Sequence, residues 1–232
     1  MEFENTTEIL NFIEMTVTDQ SEIIAKSIKN NVKLCVGIYF IYDKELKIWT
    51  EHDDEYFITY LYKYFNNISK KIKEIVNGLK DKRIELLLKA FDKSSYIADI
   101  IKRLKGDIQD IEFINKLDSM EDYLPIMGGK KICLKTMNIT DRLKEDYFTY
   151  ECQVTISQDT QHAEQFFNQI ETNDENRKYL QIILGYWLTG NTQARNFFVL
   201  YGCGSNAKTV VGMLMQKILG KLYVQCSDEV FQ

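Results

Sequence analysis

Residues Phe197 to Leu219 restrict the possible folds more than any other stretch of this chain. They begin with Phe197-Phe198-Val199-Leu200-Tyr201. This apolar run is rich in β-formers and has no polar alternation, so it predicts a strand buried on both faces. The stretch ends in Val210-Val211-Gly212-Met213-Leu214-Met215-Gln216-Lys217-Ile218-Leu219. Val211, Leu214, Met215 and Ile218 there have helical spacing. The intervening loop, Gly202-Cys203-Gly204-Ser205-Asn206-Ala207-Lys208-Thr209, is one residue away from G-x-x-x-x-G-K-[ST]. In that pattern small residues let backbone N–H groups approach phosphate oxygens, and the following helix adds partial positive charge. All eight loop residues are therefore candidate nucleotide-binding residues. Lys208 is expected to reach the β- and γ-phosphates of ATP. The Thr209 hydroxyl is expected to complete the shell of a Mg²⁺ ion carried by the nucleotide. The plainer alternative is a turn between strand and helix with Lys208 solvated.

The departure is Ala207, which stands where the pattern has glycine. Glycine tolerates unusual φ/ψ and leaves room for a ligand, and alanine is the smallest step away from it. If Ala207 adopts a helical φ, its replacement by glycine should change little. If its methyl group obstructs the phosphate path, glycine should improve binding.

Composition excludes several classes. The 232 residues suffice for one large or two ordinary domains, and 45% hydrophobic with 27% charged residues is ordinary for a globular protein. No run approaches the roughly 20 apolar residues that span a bilayer. The first twenty residues carry acids and no basic residue, unlike a secretory leader. Cys35, Cys133, Cys152, Cys203 and Cys226 are scattered without C-x-x-C spacing, which favours free thiols in an intracellular, reducing compartment. With His52 and His162 alone, a histidine-based metal site is not expected. A net charge of −5 argues against a generally basic nucleic-acid surface but leaves a local patch or a ring of subunits open.

Taken in order, residues 5–30 read as helix, broken near Thr16–Ser21, with Asp19 or Ser21 as a possible cap. Residues 34–49 read as a β-hairpin turning at Asp43-Lys44-Glu45 and ending in a buried Trp49. Asp53 or Asp54 then caps a long helix striped by Phe57, Leu61, Tyr64, Phe65, Ile68, Ile72, Ile75 and Leu79. That stripe suits a core better than a base-stacking face. Shorter helices follow over 82–91, 94–105 and 108–117, with Ser94 or Ser95 as cap and Gly106 as stop. Lys131–Thr136 and Phe148–Ile156 alternate as strands do, with Arg142, Lys144 and Tyr147 in a charged loop between them. Helices are expected again over 161–170 and 175–188, the second ended by Gly190.

The run Tyr179-Leu180-Gln181-Ile182-Ile183-Leu184-Gly185-Tyr186-Trp187-Leu188-Thr189-Gly190, followed by Phe197–Gly202 and Asn206-Ala207-Lys208-Thr209, resembles the start of the helicase domain of phage- and poxvirus-type primase–helicases of superfamily 3. The likeness is strongest over 179–209. It is looser over 124–156, where Gly128-Gly129 replaces Asn-Gly and Cys133 replaces an acid. The resemblance implies two parts. Residues 1–172 would form a mainly helical, collar-like domain with two small β-elements, an α+β arrangement packed around Phe57, Leu61, Phe65 and Trp49. Residues 173–232 would begin an α/β, AAA+-like P-loop NTPase domain.

The resemblance further implies an ATP-driven DNA helicase acting at a viral or phage-type replication fork. ATP and Mg²⁺ would be its cofactors. DNA, further copies in a hexameric ring and other replication proteins would be its partners, with no membrane, in the host cytoplasm or at a replication site. The downstream motor motifs are not in the sequence, so the chain reads as a fragment, a truncated product or a degenerate relative, and is expected not to turn over ATP by itself. The competing readings are a non-enzymatic oligomerisation or interaction module with a relic loop, and an unrelated phosphate-loop enzyme such as a small kinase.

Overall fold

A computed structural model describes Met1, residues 3–202 and residues 207–226. By backbone contacts the chain divides into two units. The first is Met1–Tyr42 with Thr50–Lys116, and the second is Asp43–Trp49 with Leu117–Gln232. The architecture is mixed α+β, largely helical with two small three-stranded sheets.

In the first unit, polar caps set the helix starts. The Asn5 side chain accepts from the Glu8 N–H and opens α1 (Thr6–Glu14). Thr16 and Asp19 exchange hydrogen bonds as a capping box for α2 (Val17–Ile28). The break expected between two helices is thus present, and Thr16 is the cap. Asp53 caps α3 (Asp54–Val76) through the Tyr56 N–H. The predicted stripe is realised: Phe57, Leu61, Phe65, Ile68 and Ile72 are all buried. It ends where Asn77 turns left-handed at φ 41°, which leaves Leu79 exposed outside the helix. Asp81 caps α4 (Lys82–Phe91). α5 (Ser94–Ile108) starts after Lys93 with no side-chain cap, so neither Ser94 nor Ser95 plays that part. The helix also runs through Gly106, because Leu104 and Ile108 on either side are buried and their packing outweighs the roughly 1 kcal/mol penalty of a helical glycine. The helix expected over 108–117 is a short 3₁₀ segment, Ile111–Lys116, which buries Phe113.

Aromatic contacts knit this core. Phe65 stacks on Phe91 at 4.8 Å and meets Tyr96 edge-on, and Tyr39 stacks on Phe57 at 4.1 Å. Each fully buried phenylalanine contributes roughly 1.5–3 kcal/mol. The β-rich stretch makes three strands where the sequence suggested two. β1 (Val32–Cys35) pairs antiparallel with β2 (Ile38–Asp43), and β3 (Ile48–His52) is third in the sheet order. Val36 and Gly37 form the extra turn at φ 49° and 81°. Two consecutive positive φ values are what a tight hairpin demands. Val36, as a β-former, conceals that turn in the sequence.

The second unit takes the tip between β2 and β3. Trp49 is buried; its N–H donates to the Phe148 carbonyl at 2.7 Å and its indole Nε1 to the Lys144 carbonyl at 3.1 Å. Trp49 therefore does not belong to the core around Phe57, Leu61 and Phe65. β4 (Tyr123–Ile126), β5 (Lys130–Cys133) and β6 (Ile139–Asp141) form an antiparallel sheet, with the first hairpin turned by Gly128 and Gly129 at positive φ. Pro125, expected only to stop a helix, sits in edge strand β4, where its missing N–H costs no ladder bond.

The strand predicted over 148–156 does not form. That segment touches β4 at Ile126–Cys152 and bonds the Met127 N–H through the Val154 carbonyl. Its alternation finds a partner at two points rather than along its length. α6 (Gln161–Ile170) and α7 (Asp174–Trp187) follow, α7 capped by Asn173. α8 (Lys208–Leu219) completes the unit. Leu124, Ile126, Ile132 and Cys152 share one buried cluster with Leu184, Val211, Met215 and Leu219. The 172/173 boundary that the resemblance implies thus lies inside this unit. Among the described residues no helix is long and apolar enough to cross a membrane.

Candidate nucleotide-binding site

The expected helix of the loop–helix motif is present, and Lys208 is its first residue. Val211, Met215 and Leu219 face the core, as the spacing required. Ala207 holds the cap position without a side-chain hydrogen bond, at φ 59° and ψ 7°. That is the left-handed region, which costs a Cβ-bearing residue roughly 1–2 kcal/mol. The helical φ considered for Ala207 is therefore not adopted. The pattern's glycine would have taken this conformation without strain.

Lys208 folds back so that its Nζ donates to the Gly202 carbonyl at 3.1 Å. The first and penultimate positions of the motif are thereby brought together. Thr209 is exposed at the second position of the helix. Cys203, Gly204, Ser205 and Asn206 lie outside the described residues. The strand expected over Phe197–Tyr201 is not formed. Phe197 is 88% exposed, Val199 73% and Tyr201 94%, where a strand covered on both faces would be near zero. A strand needs neighbours to take its N–H and C=O groups, and no described strand pairs with this one. Only alternate residues pack inward: Phe198 meets Tyr186 and Trp187 edge-on at 6.1 and 6.0 Å, and Leu200 lies against the buried cluster.

Beside Lys208 opens a cavity of about 390 Å³, with Leu180 and Ile183 of α7 and Val211 of α8 on its apolar wall. No described group of three or more His, Cys, Asp or Glu side chains could cage a metal ion. Magnesium does not require one here, since it commonly keeps several waters and binds through one or two side chains plus substrate phosphates. The residues at the start of α8 fit a Mg²⁺-nucleotide in that sense. Lys208 offers the cation, Thr209 an accessible hydroxyl, and a twelve-residue helix its N-terminus.

Sequence reasoning passed over two features of this unit. The segment read as a charged loop contains a buried ionic network. The Lys131 Nζ lies 2.5 Å from an Asp146 carboxylate oxygen, and Arg142, with a fully covered side chain, pairs with Glu151. Arg142 Nε is buried with no hydrogen-bond partner among the described residues. The other feature is the part of α7 that lines the cavity. Tyr179, 61% exposed, falls off the core-facing stripe, which is the signal that could have marked a second face.

A Tyr39–Asp54–Lys105 cluster lies in the first unit. The Tyr39 hydroxyl and the Lys105 ammonium both donate to the same Asp54 oxygen, at 3.1 and 2.9 Å. The Lys105 and Tyr39 hydrogen bonds hold the Asp54 carboxyl below its ordinary range, and burial pushes Tyr39 up to about 12. No known protein-family model matches the chain, and comparison with curated proteins finds no match.

Proposed function

We propose that this chain is the collar-like helical domain and the beginning of the P-loop motor of an ATP-dependent replicative DNA helicase of the primase–helicase type. The observation that carries the reading is the Lys208-to-Gly202 contact at the head of α8. It brings the motif's lysine to its leading glycine at the N-terminus of a helix, as a phosphate-binding motif requires. In this reading the loop from Gly202 to Thr209 holds the phosphates of ATP. Lys208 neutralises the β- and γ-oxygens and Thr209 joins the Mg²⁺ shell. Bound ATP supplies the energy for moving DNA through a ring of subunits.

The test is calorimetric titration of Mg²⁺-ATP into the protein, its Lys208→Ala variant and its Ala207→Gly variant. Lys208→Ala should weaken binding at least tenfold, and Ala207→Gly should bind as well as or better than the parent. Equal binding by all three would remove the phosphate site and the helicase reading with it. The alternative reading, a non-enzymatic interaction module with a relic loop, is favoured by the exposed, unpaired run Phe197–Tyr201. It requires that no variant bind ATP.

A further inference from the structure

We infer that the cavity beside Lys208 is a nucleobase pocket, so that the site takes a nucleoside triphosphate through its base as well as its phosphates. The inference rests on the phosphate-loop reading and says where the other end of the ligand lies. The cavity's volume of about 390 Å³ falls within the roughly 300–1,000 Å³ of small-molecule sites. Its lining joins an apolar wall to polar side chains, the two kinds of group such sites combine. Leu180, Ile183 and Val211 give an apolar wall, and two of these, Ile183 and Val211, are themselves buried in the core, so that surface is fixed.

Two tyrosines bound the same space: Tyr179 on α7, and Tyr201 immediately before the loop. Each ring is largely exposed, so neither serves the core. An aromatic face beside an apolar wall is a surface on which any base can stack, because every base has a π-face. The polar groups are Glu171 and Asn176. One Glu171 oxygen already accepts the Asn173 N–H at 2.9 Å. The Asn176 amide can both donate and accept, as the edge of a base requires. Lys208 lines the cavity as well and is also the motif's phosphate-contacting residue. A phosphate held at Lys208 therefore lies at the edge of the cavity, and the ribose would carry the base from there to the apolar wall.

The experiment compares Mg²⁺-ATP with Mg²⁺-tripolyphosphate, which carries the phosphates and no base. Both are titrated into the protein and into its Tyr179→Ala, Asn176→Ala and Lys208→Ala variants. Circular dichroism serves as the check on folding, and Tyr179 and Asn176 are exposed enough to be replaced without disturbing the core. The protein should bind ATP at least about fivefold more tightly than tripolyphosphate. Tyr179→Ala should weaken ATP by roughly 5- to 150-fold, the range for loss of one base–aromatic stack, and leave tripolyphosphate unchanged. Asn176→Ala should weaken ATP alone, by a smaller factor. Lys208→Ala should weaken both ligands. If tripolyphosphate binds as tightly as ATP, or Tyr179→Ala leaves ATP untouched, the base pocket is overturned while the phosphate loop stands. If Lys208→Ala changes neither ligand, the phosphate loop itself fails and the pocket with it.

Discussion

Ala207 shows how one methyl group can be read from both ends. The sequence marks it as the departure from a glycine pattern, and the structure gives it φ 59°. Glycine there escapes a left-handed cost of roughly 1–2 kcal/mol, offset by about 0.4–1 kcal/mol of extra freedom in the unfolded chain. Ala207→Gly should therefore raise stability by about 1 kcal/mol, seen as a higher denaturant midpoint at unchanged slope. A lower midpoint would mean that the residue is unstrained in solution. The cysteines differ as sharply. The half-exposed Cys133 has its thiol held below the ordinary value by the Thr136 hydroxyl and N–H, whereas burial pushes the Cys152 thiol up to about 11. At pH 8 Cys133 carries far more thiolate, so iodoacetamide should label it well before Cys152 in the folded protein. Peptide mass spectrometry showing equal rates would contradict this. The scattered spacing pointed to free thiols, and among the described residues Cys35, Cys133, Cys152 and Cys226 are free. The split between Cys133 and Cys152 was not legible, because it depends on which neighbours the fold supplies.

At the scale of elements, helices were legible where two local signals agreed. Asp53 followed by the Phe57–Ile72 stripe fixes α3, and α4 and α6 fall on their expected bounds. A strand carries no such local closure, since its hydrogen bonds go to another segment. Alternation over 148–156 therefore misled, and the extra turn at Val36–Gly37 went unseen. Backbone bonds to Trp49, Pro125 and Met127 hold 148–156, and a buried ion pair adds to them. Arg142, reaching from the end of β6, pairs with Glu151, both nearly inaccessible to water. Removing one member of such a pair leaves the other buried without its partner and costs roughly 3–5 kcal/mol, whereas an apolar exchange of both is often tolerated. Glu151→Ala should thus destabilise the protein by about that much. An Arg142→Met, Glu151→Leu double variant should recover most of the loss. Chemical denaturation in which the double variant falls as far as the sum of the singles would show that the two do not act as a pair.

At the scale of the molecule, the resemblance suggests a natural cut near residue 172, but the packing runs across it. Leu184, Val211, Met215 and Leu219 share a cluster with Leu124, Ile126 and Ile132. A chain truncated after Thr172 should keep the first core and lose the second. Hydrogen exchange should find slow amides in α2, α3 and α5 and fast ones in β4 and β5. Slow exchange in β5 of the truncated chain would show that its sheet needs neither α7 nor α8. This division was hidden from the sequence because both cores are built from the same residue types, and no linker separates them. Trp49 adds a matter of timing. Its acceptor carbonyl on Lys144 comes 95 residues later in the chain. At a synthesis rate of about 5–20 residues per second, the tip between β2 and β3 leaves the ribosome roughly 5 to 20 seconds before its hydrogen-bond partners do. During that interval a large indole that the finished protein encloses stays open to water and to chaperones, even though every other residue of its hairpin has already been made.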